Sequence, residues 1–228
     1  ALGAYKLDKI TLEILFYNTS SPTNYYGFDS FQAMENFARV RDLDSGLSDF
    51  RYQWTMASID PPDMNTTVCT GGYAEEDFDL GANYWVYTGA EGGKPTVSSD
   101  SHYLHVCAVD VAGNILKSSS RYYLDADGPS GGYVTHFDGF QSGTTVTVDV
   151  SPGTDDLSGM SISNSDYLLE YSRATLFEGV CGEYGDWFDA GVAESWSASS
   201  YNVTTEGGHC YVFRYTVKDR IGNSTTYY

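Results

Sequence analysis

The sequence predicts an all-β chain that folds into two tandem β-sandwich domains. Apolar and polar residues alternate through many short segments, clusters of Gly, Ser, Asn and Asp separate these segments, and one arrangement of motifs occurs twice. Alternation with a period of two is typical of strands that are buried on one face. Many short strands joined by turns favour a sandwich. With 228 residues, the chain is long enough for two domains that each bury a core.

Six segments alternate most clearly, three in each half of the chain. They are residues 10–17, 50–56, 103–109, 145–150, 167–171 and 211–217. Residues 31–41 also suit a helical turn by propensity, but the last five of them alternate. Their position before an acidic loop matches that of residues 145–150. We therefore expect a strand in this segment as well.

An acidic Ser-Gly loop followed by a late Gly-Asn turn occurs once in each half. The loops are residues 42–47 and 155–160, and the turns are residues 110–114 and 219–223. The Ser-Gly pairs lie 113 residues apart (158 − 45), which is the length of a whole domain rather than of a solenoid repeat. We therefore place the first domain at residues 1–127 and the second at residues 128–228, with a junction rich in Gly and Pro.

The duplicated motifs have a structural interpretation and a metal-binding one. Gly and Asn tolerate positive φ, so each Gly-Asn turn predicts a tight hairpin whose leading residue, Asp110 or Asp219, accepts backbone N–H groups. We expect the acidic loops to do similar work at the opposite side of each sandwich. Calcium is the alternative, because carboxylate oxygens are hard ligands, although no EF-hand loop is present. We prefer turn capping and predict no required cofactor. The aspartates that could bind calcium are Asp42, Asp44, Asp125, Asp127, Asp155 and Asp156.

Four cysteines divide evenly between the halves: Cys69 and Cys107, then Cys181 and Cys210. In each pair the first lies in a Gly-rich connection and the second in an alternating strand. Among the three possible pairings we therefore favour pairing within each repeat. Closing loops of 38 (107 − 69) and 29 (210 − 181) residues contributes about 3–4 kcal/mol in the chain-entropy model. A zinc site is the weaker alternative, because no Cys-x-x-Cys occurs.

Glycosylation sequons and net charge bear on the location of the protein and on its partners. N-glycosylation sequons begin at Asn18, Asn65, Asn202 and Asn223, and the last of these also belongs to a Gly-Asn turn. Together with paired cysteines, they predict an N-glycosylated protein that is extracellular or at the cell surface. The net charge of −19 argues against binding to nucleic acid or to anionic membranes, since both need basic patches.

The chain carries neither an apolar run of membrane-spanning length nor a recognisable catalytic motif. We therefore predict no membrane contact from this segment, which we expect to be part of a longer secreted chain or a mature form. The four histidines form no ligand set, because His102 and His105 share a strand at a spacing that points them to opposite faces. We predict no enzyme, no catalytic residue and no metal ligand.

Five segments together match a known kind of domain: residues 45–54, 102–129, 167–172, 179–182 and 210–219. They resemble tandem immunoglobulin-like or fibronectin-III-like repeats of giant secreted or cell-surface proteins. The resemblance is to repeats of adhesins and extracellular filaments, including flagellar hairs (mastigonemes). It implies that both sandwiches are immunoglobulin-like, each with one disulfide. The second repeat lacks a counterpart of Trp54 (Tyr171 is near that place), and Cys107 and Cys210 do not align, so we expect the disulfides to join different strands.

The resemblance implies a structural module of a filament, appendage or coat. Its partners would be N-linked glycans and other copies or neighbouring repeats of the chain, with residues 10–17 as a candidate edge strand. The alternative is a carbohydrate- or cell-adhesion-binding module. Aromatic residues at 83–87 and 184–188 could stack on sugar rings, although such rings also complete cores of this kind.

Overall fold

The computed structural model describes residues 12–17, 25–34, 37–42, 46–56, 73–74, 84–87, 94–192, 195 and 197–228. The chain divides into two compact units, Ala1–Ala126 and Asp127–Tyr228. In the described part of both units the regular structure is almost entirely β, as the sequence predicts. No helix within these ranges has the length and hydropathy that crossing a membrane requires.

The first unit contains eight described strands and one short helix. The strands are β1 Glu13–Phe16, β2 Tyr26–Gly27, β3 Ala38–Arg41, β4 Leu47–Thr55, β5 Tyr73–Ala74, β6 Tyr84–Tyr87, β7 Ser99–Asp110 and β8 Ile115–Asp125, and the helix is α1 Phe28–Gln32. They form a three-stranded sheet in the order β1-β3-β6 and a five-stranded sheet in the order β2-β8-β7-β4-β5. Pairing is antiparallel except between β2 and β8, which run parallel.

The second unit also contains eight described strands. They are β9 Tyr133–His136, β10 Thr145–Ser151, β11 Tyr167–Phe177, β12 Val180–Cys181, β13 Phe188–Asp189, β14 Ser200–Thr204, β15 His209–Lys218 and β16 Ser224–Tyr227, with a 3₁₀ turn at Asn164–Asp166. One sheet has the order β14-β10-β9. The other has the order β12-β11-β15-β16, and β13 also pairs with β11.

The two units repeat one strand order and one register. The order β1-β3-β6 corresponds to β9-β10-β14, and β8-β7-β4 corresponds to β16-β15-β11. Trp54 pairs with Leu104, six residues before Asp110 (110 − 104). Tyr171 pairs with Phe213, six residues before Asp219 (219 − 213). Tyr171 therefore occupies the register position of Trp54, as the sequence suggested.

The six strands predicted from alternation are present in the described residues, but the interpretation of residues 31–41 was only partly right. The end of this segment is β3, whereas its start belongs to α1. Helical backbone at this point exposes Asp29 and Ser30 and places Phe31 in the core. The ring of Phe31 lies 5.6 Å from that of Phe37 and 5.7 Å from that of Trp54. The helical start therefore agrees with the propensity of this segment, and burial of the Phe31 ring stabilises it.

Each unit has its own core, to which both of its sheets contribute. In the first unit Val40 of the smaller sheet and Phe50 and Leu104 of the larger sheet belong to one buried cluster. In the second unit Val148 and Val203 of the smaller sheet pack with residues of the larger sheet, among them Tyr167, Leu169, Tyr215 and Val217. The described residues of each unit thus form a hydrophobic core of their own. Each core supports the strands and turns on the surface of its own unit.

Candidate functional site

Each unit holds a hairpin turn that is closed by one buried aspartate. In the first unit Asp110 accepts hydrogen bonds from the backbone N–H of Asn114 at 2.7 Å and from its Nδ2 at 2.6 Å. In the second unit Asp219 accepts the backbone N–H groups of Ile221, Gly222 and Asn223 at 2.7–3.0 Å, and Nδ2 of Asn223 at 2.7 Å. Turn capping by these aspartates, which the sequence predicts, is therefore present in both units.

The acidic loops use a second aspartate in the same way. The N–H of Gly46 donates to Asp42 at 2.8 Å, and the N–H of Gly159 donates to Asp155 at 2.6 Å, each across four residues. Both glycines have positive φ, 85° for Gly46 and 81° for Gly159, which a side chain would oppose. Asp42 and Asp155 are therefore also turn caps.

The expectation that the acidic loops lie opposite the Gly-Asn turns was wrong. The carbonyl oxygen of Gly46 accepts the N–H of Val111 at 2.8 Å, and that of Gly159 accepts the N–H of Arg220 at 2.9 Å. Strand β4 starts where its antiparallel partner β7 ends, so loop and turn meet at the same end of the sheet. We call each bonded loop and turn a turn pair. One turn pair consists of residues 42 and 46–47 with 110–114, and the other of residues 155–160 with 219–223.

Burial decides the electrostatics of the turn pairs. Asp42, Asp110 and Asp219 are each about 1% exposed. Burial raises the pKa of Asp219, because the charged carboxylate loses its hydration, while the hydrogen bonds from Asn223, Ile221 and Gly222 oppose this shift. Oxygens of Asp155 and Asp219 lie within 4.8 Å of each other. Two carboxylates at this distance repel, which adds to the importance of the N–H groups that face them.

The other aspartates considered as calcium ligands are placed differently. Asp125 is buried at the end of β8, Asp127 and Asp156 are exposed, and Asp44 lies outside the described residues. Asp42 and Asp155 each accept a backbone N–H within their turn pair. Calcium binding remains a prediction that these contacts do not test.

Cys181 and Cys210 form the disulfide that the sequence predicts, with their Cα atoms 5.8 Å apart. It joins β12 to β15, the two strands that flank β11 at this end of the sheet. Cys107 is also disulfide-bonded and is fully buried near the end of β7, whereas Cys69 lies outside the described residues. Cys107 is three residues before Asp110 and Cys210 is nine before Asp219, so the disulfides hold different levels of the repeated sheet.

Two of the four sequons fall on described residues, and their surroundings differ. Asn202 is exposed in the middle of β14. Asn223 is half-buried, and its side chain is bonded within a Gly-Asn turn. Asn18 and Asn65 lie outside the described residues.

His102 and His105 are both buried in β7 and have separate hydrogen-bond partners. Nε2 of His102 donates to the carbonyl oxygen of Val97 at 2.7 Å, and Nε2 of His105 lies 2.8 Å from Oγ1 of Thr55. Burial lowers the pKa of His102, because the charged imidazolium loses hydration. Both side chains therefore have structural partners.

An open cleft of about 350 Å³ lies in the second unit beside the disulfide. Three aromatic side chains on its lining are accessible: Phe137 (61% exposed), Phe140 (77%) and Tyr184 (43%). Polar groups accompany them, including the side chains of Gln141 and Glu206. We call this feature the aromatic cleft. Apolar rings beside a few hydrogen-bonding groups are typical of sites for small ligands.

The aromatic cleft includes only part of what sequence reasoning proposed for sugar stacking. Tyr184 lines it, but Trp187 packs against the guanidinium of Arg214 at 4.5 Å, and the ring of Phe188 lies 5.8 Å from that of Tyr171. Residues 84–87 form β6, and the structure does not describe their side chains. Phe137 and Phe140 were missed. The available signal was two phenylalanines on either side of Asp-Gly, directly after an alternating segment.

Comparison with known proteins adds no family to these observations. No model of a known protein family matches the chain, and no curated protein matches it significantly in sequence. The features of this chain that bear on function are therefore its repeated architecture and the surfaces described above.

Proposed function

We propose that this chain is a structural module of a long extracellular, N-glycosylated repeat protein that builds a cell-surface filament, appendage or coat. In this proposal both units are immunoglobulin-like β-sandwiches. The observation that carries it is the repetition of one strand order and one turn pair in the two units. Repeated domains of this kind suit a role in which length and spacing matter more than a single reactive site.

The covalent and surface chemistry is compatible with work outside the cell. A disulfide such as the one that joins the two strands flanking β11 persists in oxidising compartments. Acids outnumber Lys and Arg by 31 to 12, which keeps a crowded surface protein soluble and hydrated. The aspartates of the described turns are satisfied by hydrogen bonds, so their role in the fold does not depend on a substrate.

Self-association would use strand edges. Among the described residues β1 pairs only with β3, and β9 pairs only with β10, so each presents an unpaired edge of the smaller sheet. An unpaired edge is a template for adding a strand from another molecule. Strand β1 is the part of residues 10–17 that the structure describes.

Electron microscopy of the untagged protein from its natural source tests the proposal. We expect filaments or an ordered layer with a repeat that matches the length of a domain or of a pair of domains. Peptide mapping without reduction should recover Cys181 linked to Cys210. Dispersed monomers in native material, together with reduced cysteines, would contradict the structural and extracellular function.

The aromatic cleft favours one second candidate, a module that binds carbohydrate. Sugar rings present C–H groups that stack on aromatic faces, and their hydroxyls pair with carboxylates and amides. Phe140 and Tyr184 supply accessible rings, and Glu206 and Gln141 supply the polar groups.

A glycan array followed by titration calorimetry tests this candidate. Phe140→Ala and Tyr184→Ala should each weaken binding of a sugar found on the array at least tenfold. Phe177→Ala is the matched control, because Phe177 is 70% exposed but does not line the cleft. An array without a binding sugar, or equal loss in the control, would reject carbohydrate binding.

A further inference from the structure

We propose that Asn202 carries an N-linked glycan in the folded protein and that Asn223 remains unmodified, because the amide of Asn223 is part of a turn pair. The inference rests on the proposed passage through a secretory pathway. It distinguishes two sequons that are equivalent by motif, since both read Asn-x-Thr, as Asn202-Val203-Thr204 and Asn223-Ser224-Thr225. The contacts of the two side chains make the distinction.

Asn202 has the geometry of a glycan acceptor. Its neighbours Tyr201 and Val203 are buried, so its own side chain points to the outer face of the smaller sheet. Oδ1 of Asn202 accepts a hydrogen bond from Thr147 at 2.9 Å, whereas no described residue accepts a hydrogen bond from its Nδ2. Glycosylation replaces one hydrogen of Nδ2, so a glycan attaches here without breaking a contact of the fold.

The outer face around Asn202 is polar and open. Exposed side chains of Thr145, Thr147, Asp149 and Thr204 surround this position on β10 and β14. Strand β14 is also an edge strand in the described part of its sheet. A bulky, hydrated group on an edge strand hinders pairing with a strand of another molecule. The glycan would therefore direct association away from this edge.

Asn223 lacks the free amide that glycosylation needs. Its Nδ2 donates to Oδ2 of Asp219 at 2.7 Å and to the carbonyl oxygen of Asp127 at 3.1 Å. Replacing one hydrogen by a sugar removes one of these bonds next to a buried carboxylate. Space is short as well, because a Cβ added at Gly128 would lie 2.8 Å from the backbone of Ser224.

The first unit supplies an internal comparison for Asn223. Asn114 occupies the same place in its turn and makes the same two bonds to Asp110, at 2.7 Å from its N–H and 2.6 Å from Nδ2. It is followed by Ile115 and Leu116, so it is not a sequon. The turn therefore holds an asparagine at this position whether or not glycosylation is encoded, and the sequon at Asn223 is a by-product of turn chemistry.

Two matched substitutions test the inference in protein secreted by cultured eukaryotic cells. Thr204→Val and Thr225→Val each destroy one sequon while leaving the asparagine in place. We expect Thr204→Val to remove one whole glycan from the intact mass and Thr225→Val to remove none. Enzymatic deglycosylation in ¹⁸O-labelled water should mark the peptide of Asn202 and leave that of Asn223 unlabelled.

Stability of the deglycosylated protein supplies a second readout. Asn223→Gln should lower the thermal midpoint, because the longer amide misplaces both Nδ2 bonds, and Asn202→Gln should leave it unchanged. A glycan on Asn223, or an unmodified Asn202 in secreted protein, would overturn the inference. Reduced Cys181 and Cys210 in native material would instead contradict the extracellular function, so the two failures are distinguishable.

Discussion

The two units keep the same turn pairs but fill their cores differently. In the first unit Phe31, Phe37, Trp54 and Tyr122 form an aromatic cluster with ring centroids 5.1–6.3 Å apart. In the second unit the position of Trp54 is held by Tyr171, and the smaller sheet contributes mainly valines. The corresponding backbone bonds of the turn pairs differ by only 0.1 Å, at 2.8 Å for Val111 to Gly46 and 2.9 Å for Arg220 to Gly159.

This difference indicates that the repeated fold requires the turn residues but tolerates different side chains in its core. A core accepts other side chains when their total volume suits the space. Tyr52 faces Val106 in the first unit, whereas Leu169 faces Tyr215 at the same register in the second, so the large ring has moved to the opposite strand. The turns have less freedom, because they need a carboxylate, a positive φ and an unblocked N–H at fixed places.

The largest effect is expected from truncating the aromatic cluster. Phe37 is fully buried and contacts three other rings of the cluster, so Phe37→Ala should lower the free energy of unfolding by about 3–5 kcal/mol. Chemical denaturation followed by circular dichroism measures it. Phe140→Ala, at a ring that is 77% exposed, is the control and should change stability by less than about 0.5 kcal/mol.

Removal of the disulfide comes next. Replacing Cys181 and Cys210 by serine opens a loop with a sequence separation of 29 and should cost about 3–4 kcal/mol in the chain-entropy model. The thermal midpoint of the double variant measures this loss, and reduction of the unaltered protein, which also breaks the disulfide of Cys107, should lower the midpoint at least as much. An unchanged midpoint would mean that the strands flanking β11 hold this end of the sheet without the covalent bond.

The turn pairs should respond alike in the two units. Asp110→Ala removes the acceptor of two N–H donors and Asp219→Ala that of four, and each should lower the free energy of unfolding by about 2–3 kcal/mol. Denaturant titration of both variants measures the losses. A loss of stability in one unit alone would mean that the same hydrogen bonds contribute to the free energy of unfolding in one unit but not in the other.

The smallest expected effect is a pH dependence that distinguishes the units. Burial lowers the pKa of His102 below its ordinary 6.5, so the folded state binds fewer protons than the unfolded chain. The contribution of His102 is fully present above about pH 6.5 and is lost as the pH falls through the folded pKa. The second unit has Tyr211 at this position, eight residues before its turn aspartate (219 − 211).

Thermal midpoints between pH 5 and 7.5 measure this dependence, and His102→Gln should flatten it. Asp219 has the opposite sign, because burial raises its pKa above the ordinary 3.8. Its contribution is present below that value and declines as the pH rises through the folded pKa. A slope near neutral pH that survives in His102→Gln would assign the titration to another group.

Much of the fold was predictable because its signals are local. Alternation depends on which face of a strand is buried, and a Gly-Asn turn depends on the φ of two residues. The place of the acidic loops was not predictable in this way, since it depends on where β4 and β7 meet in space. The short helix α1 was missed for a similar reason. In the described cluster, Phe31 is the residue of α1 that is buried, and it is buried because Phe37 and Trp54, which are distant in sequence from each other, pack against it.

The candidate surfaces were less predictable than the strands. The motif alone makes Asn202 and Asn223 equal, and only their hydrogen-bond partners separate them. The pairing of Cys181 with Cys210 followed from their matching context, but the aromatic cleft required knowing that Phe137 and Phe140 lie beside Tyr184. Side chains that are distant in sequence come into contact only in the folded chain, so a local sequence pattern does not predict their contact.

The disulfide between Cys181 and Cys210 also determines whether proteolytic cleavage of the nearby exposed loop releases a fragment. Residues 182–186 are all exposed, and they lie inside the segment that Cys181 and Cys210 close. Exposed loops are preferred sites of nicking. A cut at any of these peptide bonds leaves both new ends attached to the same molecule, so damage at this stretch would not release a fragment or shorten an assembled chain.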